Sequence, residues 1–164
     1  ENGARSVNLA KDEAERNNLW KARRSMAPAL ARLAPNKLGE DITVPRSAIP
    51  EVVQRLRAIS GKYGLPIAIF GHAGDGNLHP NILFDKRQAD QWKKAEEMVG
   101  EIFTASLAVG GTLSGEHGGG VLKRPYLELA LGPLSIQVQR KIKQALDPLN
   151  ILNPGKIFPD EALS

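Results

Sequence analysis

The stretch from Leu65 to Phe84 constrains the fold more than any other: two short apolar runs, LPIAIF and NLHPNILF, flank the glycine-rich GHAGDG. Asp-Gly between apolar runs is a strong hairpin signal, because a type I′ turn needs positive φ at both central residues. With Asp75-Gly76 in those places, Gly74 pairs with Asn77, Ala73 with Leu78, and His72 faces His79 across the ladder. Pro80 has no N–H to give, so it predicts an edge or a distortion in the second strand.

Helical signals surround the hairpin. Residues 9–33 read as a charged helix interrupted at Pro28. Gly39 to Pro45 (GEDITVP) reads as a short strand, and Ser47 as an N-cap with Pro50 and Glu51 in the first turn. Ile49, Val52, Val53, Leu56 and Ile59 then repeat at helical spacing, with Gly61 and Gly64 as the stop. Gln88 to Val109 carries a longer stripe through Trp92, Ala95, Met98, Val99, Ile102 and Phe103, ending at Gly110-Gly111. A short segment from Val121 to Leu131 follows, then a last helix from near Pro133 to Asp147-Pro148 and a loop-rich tail, NILNPGKIFPD. A hairpin amid helices predicts an α+β fold, its sheet mostly antiparallel with helices packed on one face. Only about three strands are legible, so the sheet reads as incomplete. The chain opens at Glu1 in polar sequence, and the expectation is a fragment or processed product with a strand or two missing upstream.

Composition narrows the function. The 164 residues fit one domain. No apolar run approaches the ~18 residues of a membrane helix, and no signal-peptide pattern opens the chain. Cysteine is absent, which excludes disulfides, thiolate metal sites and cysteine nucleophiles and leaves the cytoplasm as the expected location. The net charge of +4 comes entirely from residues 1–57, with 11 Lys/Arg against 7 Asp/Glu. That surplus is too dispersed for a nucleic-acid groove, and aromatics are only 5%. A small anionic ligand fits better.

The chemistry gathers in two segments. All three histidines lie in GHAGDGNLH (71–79) and GGTLSGEHGGG (110–120), which also hold 9 of the 16 glycines. Two opposed imidazoles, His72 and His79, are near enough to share one ion, and Glu116 completes a His₂Glu set that leaves positions open. His117 suits general base work. The plainer readings are turn histidines tied to backbone carbonyls, and GEHGGG as a flexible loop or an anion-binding nest. Arg23 is placed to hold a carboxylate or simply to face solvent. Phosphate-loop and serine-elbow patterns are missing. Two rival functions follow from these residues alone: a stand-alone metal-dependent hydrolase, and a non-catalytic anion-binding module on Arg23, Arg24 and Lys37.

WKARRS, EDITVPRSAIPEVV, GHAGDGNLHPNILFD, GTLSGEHGGG and DPLNILNPGKIF together resemble the C-terminal, substrate-side domain of FAD-linked oxidases and dehydrogenases. That family includes glycolate oxidase, D-lactate dehydrogenase and D-2-hydroxyglutarate dehydrogenase. The resemblance implies that residues 1–164 form the C-terminal portion of a ferredoxin-like substrate domain, with an N-terminal FAD-binding domain of the same protein as partner. It implies FAD and a divalent metal, zinc or manganese, as cofactors, and a small 2-hydroxy acid as substrate. By the same resemblance His72, His79 and Glu116 bind the metal, His117 takes the hydroxyl proton, Arg23, Lys37 and Asn81 bind substrate, and Asn153 lies near the flavin. Ala27 departs from relatives that place a hydroxyl residue there and prefer dicarboxylates, which leaves the hydroxy acid open. Surfaces exposed by the missing part predict self-pairing into a homodimer.

Overall fold

Period-two alternation along one strand sets the architecture. In the computed structural model, which describes residues 3 and 6–158, β4 (Asn77–Phe84) is the central strand. It pairs antiparallel with β3 (Ile67–His72) on one side, and with β1 (Asn36–Gly39) and β2 (Ile42–Thr43) on the other. Thr112 adds an antiparallel bridge to Thr43 beyond β2. The order across the sheet is therefore Thr112, β1/β2, β4, β3, with α2 (Ile49–Tyr63) between β2 and β3 and α3 (Ala89–Leu107) between β4 and Thr112. This is the ferredoxin-like β-α-β-β-α-β order, its first strand split and its last reduced to a single bridge. The α+β, antiparallel expectation holds.

Leu78, Ile82 and Phe84 of β4 face one way and join Ile42, Val52, Leu56, Met98, Ile102 and Phe103 in the core. Asn77, His79 and Asn81 alternate with them and face the other way. The predicted stripe of α2 is buried at Val52, Leu56 and Ile59, and that of α3 at Ala95, Met98, Val99, Ile102 and Phe103. These two helices cover one face of the sheet. α1 (Glu13–Leu30) contributes no buried residue and reaches over the opposite face, where the Arg23 guanidinium sits 5.2 Å from the Phe70 ring centroid.

Several boundaries differ from the sequence reading. Ser47 lies inside a 3-10 turn (Arg46–Ala48) and caps nothing; Ala48 precedes α2 without a side-chain hydrogen bond. Gly61 is within α2, which ends at left-handed Gly64. The predicted strand 39–45 is two strands broken at Glu40-Asp41, and Pro80 supplies the reason. Its carbonyl accepts from the Glu40 N–H at 2.9 Å, so its nitrogen, which has no hydrogen to give, also faces that break. Pro80 thus marks a distortion in a central strand rather than an edge. α4 (Leu127–Leu146) is interrupted at Gly132 (φ 74°), beside the predicted start at Pro133. Of the tail, Pro159 and Asp160 lie outside the described residues, as does Glu1.

The hairpin register is the largest correction. His72 pairs with Asn77, and His79 with Phe70, so the two histidines are diagonal rather than directly opposed. The connection is a four-residue turn, Ala73 to Gly76, closed by Asp75 N–H donating to the His72 carbonyl at 3.0 Å. Contact with the edge beyond β2 selects it. The Val44 N–H donates to the Gly76 carbonyl, and a Cβ on Gly76 would fall 2.0 Å from the Val44 oxygen. The slip is two residues, so both histidines stay on one face of the sheet.

Candidate active site

The polar face of β4 forms the floor of a cavity of about 510 Å³. His79 and Asn81 come from β4, Phe70 and His72 from β3, Lys37 and Gly39 from β1, and Arg23 and Ala27 from α1. Glu40, Glu116 and His117 complete the wall. Seven of the eight residues singled out from sequence are therefore brought together: Arg23, Lys37, His72, His79, Asn81, Glu116 and His117. Asn153 is not among them. It adopts positive φ in the C-terminal turn and lines a separate, mostly apolar hollow of about 320 Å³ with Lys143, Asp147 and Phe158.

Two local devices carry Glu116 and His117 to the strand. After α3, Gly111 donates back to the Ser106 carbonyl at 2.9 Å, and Thr112 donates to the Thr43 carbonyl at 2.7 Å. The chain then folds around a buried carboxylate. Asp41 is fully buried, and its Oδ2 accepts from Ser114 Oγ (2.8 Å) and from the N–H groups of Gly115 (3.0 Å), Glu116 (3.0 Å) and His117 (2.8 Å). Its Oδ1 accepts from Asn77 Nδ2 at 2.6 Å. The fit is so close that a Cβ on Gly115 would fall 2.0 Å from Asn77 Nδ2. Burial alone raises the Asp41 pKa, but the His117 N–H, the Asn77 and Ser114 side chains and the Glu116 N–H outweigh it and hold the carboxyl far below its usual range.

The ligating atoms of His72, His79 and Glu116 lie within 4.8 Å of one another. Glu116 Oε1 is 3.1 Å from His79 Nε2 and 4.0 Å from His72 Nε2. Ligands at ~2.0–2.2 Å from a tetrahedral ion sit ~3.3–3.6 Å apart, so the His79–Glu116 pair is nearly at that spacing. The exposed His72 has room to close the remainder. Burial, more than the pull of Asp41 and Glu116 in the other direction, pushes the His79 pKa down, toward the neutral form that a metal ligand needs. The donor set is of a kind that could hold a divalent ion. The His117 ring stacks on His79 with centroids 5.4 Å apart, and its Nε2 lies 3.9 Å from Glu116 Oε1.

Two cationic side chains and an amide also line the cavity. Arg23 and Lys37 supply charge, and Asn81 supplies an amide whose Nδ2 also donates to the His79 carbonyl at 2.8 Å. Gly39 sits directly across from Asn81, where a Cβ would fall 2.9 Å from Asn81 Oδ1.

Four residues near the site escaped the sequence reading: Glu40, Asp41, Phe70 and Lys123. Lys123 is buried, with Nζ 3.7 Å from Asp41 Oδ2. Burial, opposed by Lys123 and reinforced by Asp41, raises the Glu40 pKa to about 7. The available signal was the acidic pair at the head of an apolar strand, because carboxylates there are buried only when partners meet them.

Residues 1–157 match the family model described as FAD linked oxidases, C-terminal domain. Glycolate oxidase subunit GlcD of Bacillus subtilis is 48% identical over 157 residues, covering 96% of this chain and 33% of that protein. The probable mitochondrial D-lactate dehydrogenase of Danio rerio is 38% identical over 162 residues, covering 96% of this chain and 32% of its own length. D-2-hydroxyglutarate dehydrogenase of Stutzerimonas stutzeri is 36% identical over 154 residues, covering 92% and 33%. This chain spans about a third of the length of these relatives. Among the described residues no helix is long and apolar enough to cross a membrane. The chain belongs to the family of C-terminal domains of FAD-linked oxidases.

Proposed function

We propose that this chain is the substrate-side part of an enzyme that oxidises a D-2-hydroxy acid of the glycolate, D-lactate or D-2-hydroxyglutarate type to the 2-oxo acid. The observation that carries the reading is the single cavity that joins Arg23, Lys37 and Asn81 with His72, His79, Glu116 and His117. A carboxylate and a neighbouring hydroxyl on one small molecule match these two sides. The relatives' names, which concern glycolate, D-lactate and D-2-hydroxyglutarate, support the same class.

In this reading Arg23 holds the substrate carboxylate, with Lys37 and Asn81 beside it, and so fixes which face of the α-carbon is presented. His72, His79 and Glu116 hold a divalent metal. When bound, the metal supplies Lewis acidity at the substrate hydroxyl and FAD supplies the hydride acceptor. His117 takes the hydroxyl proton as the α C–H bond gives up hydrogen with its electron pair and the C=O bond forms. Asn153 belongs to the flavin side.

The partner is an N-terminal FAD-binding domain of the same protein. Leu134, Val138, Ile142 and Leu146 repeat every fourth residue along α4 and are all exposed, Leu134 at 71% and Leu146 at 78%. A stripe of this kind is normally covered.

The test uses the full-length flavoprotein without oxygen. Glycolate, D-lactate and D-2-hydroxyglutarate are each added and the flavin's visible absorbance is followed. At least one is expected to bleach it, and His117→Ala to slow bleaching by about 10²–10⁴-fold. Failure of all three, or a His117→Ala rate within a few-fold of wild type, would overturn the reading.

A further inference from the structure

β3 places an apolar ring on the face of the sheet that is otherwise polar. Ile67 and Ile69 turn to the core, and Phe70 alternates with them on the cavity face beside His72. There the ring stands among Arg23, Lys37, Glu40 and Glu116, which line the same cavity. The Arg23 guanidinium lies over its face, 5.2 Å from the centroid, and the His79 ring is tilted against it with centroids 6.0 Å apart. Arg23 comes from α1, which has no buried residue of its own. Among the described residues Arg23 makes no hydrogen bond or ion pair, and the Phe70 ring is its one partner.

We infer that Phe70 is a positioning residue for Arg23: its ring face holds the guanidinium over the cavity and leaves the edge donors of that group free for the carboxylate of a ligand. A guanidinium is planar, stacks on an aromatic ring through its face and hydrogen-bonds a carboxylate through its edge, so both contacts can be made at once. A protein carboxylate in the place of Phe70 would take the same donors that the ligand needs. Glu40 and Glu116 line this cavity, and without the ring a long side chain on an exposed helix is free to turn toward them. Holding Arg23 in place beforehand also removes part of the ordering cost from the binding step. That Arg23 meets a substrate carboxylate rests on the proposed function; that Phe70 holds Arg23 does not.

Two measurements keep these claims apart. In the chain labelled with ¹⁵N-arginine, an Nε–Hε proton held over a ring is shielded by the ring current. The Arg23 resonance, assigned with Arg23→Lys, is expected upfield of that of its neighbour Arg24, and it should move back in Phe70→Leu. In the full-length flavoprotein, Phe70→Leu is expected to raise the hydroxy-acid concentration that half-saturates flavin bleaching by about 5–30-fold, the size of a half-buried cation–π contact. Phe70→Tyr, which keeps the ring face, should stay within about 2-fold of wild type. In an Arg23→Ala background Phe70→Leu should change the same concentration by less than about 2-fold, because the contact is already gone. An equal effect in both backgrounds, or a Phe70→Tyr that behaves like Phe70→Leu, means a general loosening of the sheet and overturns the inference. So does an Arg23 resonance that is unshifted in wild type or unmoved in folded Phe70→Leu. If Phe70→Leu fails to fold, the wild-type resonance decides alone. If none of the acids bleaches the flavin, the proposed function falls, and a shielded Arg23 resonance still supports Phe70 as the group that holds it.

Discussion

The two faces of β4 are equally buried, all eight residues of the strand being hidden from solvent, yet they are buried by different means. Leu78, Ile82 and Phe84 lie against α2 and α3, where apolar side chains interlock without direction. Asn77, His79 and Asn81 lie under a turn and a sparsely packed helix, and each is placed by directed hydrogen bonds or charges. One face can lose a polar atom at no cost because it has none. The other is organised around a carboxylate that nearly everything nearby addresses. Stability should therefore be concentrated on one face and chemistry on the other.

The sharpest way to break that contrast is to cut the apolar side. Phe103 is fully buried and packs edge-on against Tyr126 with ring centroids 5.1 Å apart. Phe103→Ala should lower unfolding free energy by about 3–5 kcal/mol, read from the urea midpoint. His72→Ala, at the exposed rim of the polar face, should shift it by no more than about 0.5 kcal/mol. Equal losses would show that the two faces do not divide the work.

Glu40 gives a smaller, pH-dependent test. Its folded pKa is raised to about 7 from 4.5, so the fold prefers it protonated. Its contribution is complete below the unfolded pKa and is lost as pH rises through 7. Glu40→Gln should match wild type near pH 4.5 and exceed it near pH 8, by on the order of 3 kcal/mol. Asp41 works in the opposite sense: the stability from its depressed pKa is present above the unfolded value and is lost as pH falls through and below the usual carboxylate range, outside that window. Wild-type and Glu40→Gln curves that stay parallel from pH 4.5 to 8 would remove Glu40 from the account.

The smallest effect belongs to neither face. Lys62 bonds Glu101 across the outer surfaces of α2 and α3. Surface pairs of this kind contribute little, so Lys62→Ala should leave the urea midpoint within error.

The same division explains what the sequence made legible. The stripes of α2 and α3 are spaced by helix geometry, and burial follows from spacing alone. His72, His79, Glu116 and His117 stood out because glycines isolate them and residue type advertises chemistry. The hairpin register was misread because its turn is fixed by contact with Val44, more than 25 residues earlier in the chain. Asp41 went unread for a related reason. Its four donors lie more than 70 residues downstream, and nothing in GEDITVP records them. Asn81 became visible only through resemblance, and without it Arg23 could not be told from Arg24, since an arginine on a helix has no periodic signature.

Convergence of His72, His79 and Glu116 on one ion is tested most directly by calorimetric titration of the chain with Zn²⁺ and Mn²⁺. The account predicts one equivalent bound by wild type, lost in His79→Ala and in Glu116→Gln, and kept in Arg23→Ala. No binding by the folded wild-type chain, or binding that survives both ligand substitutions, would contradict it.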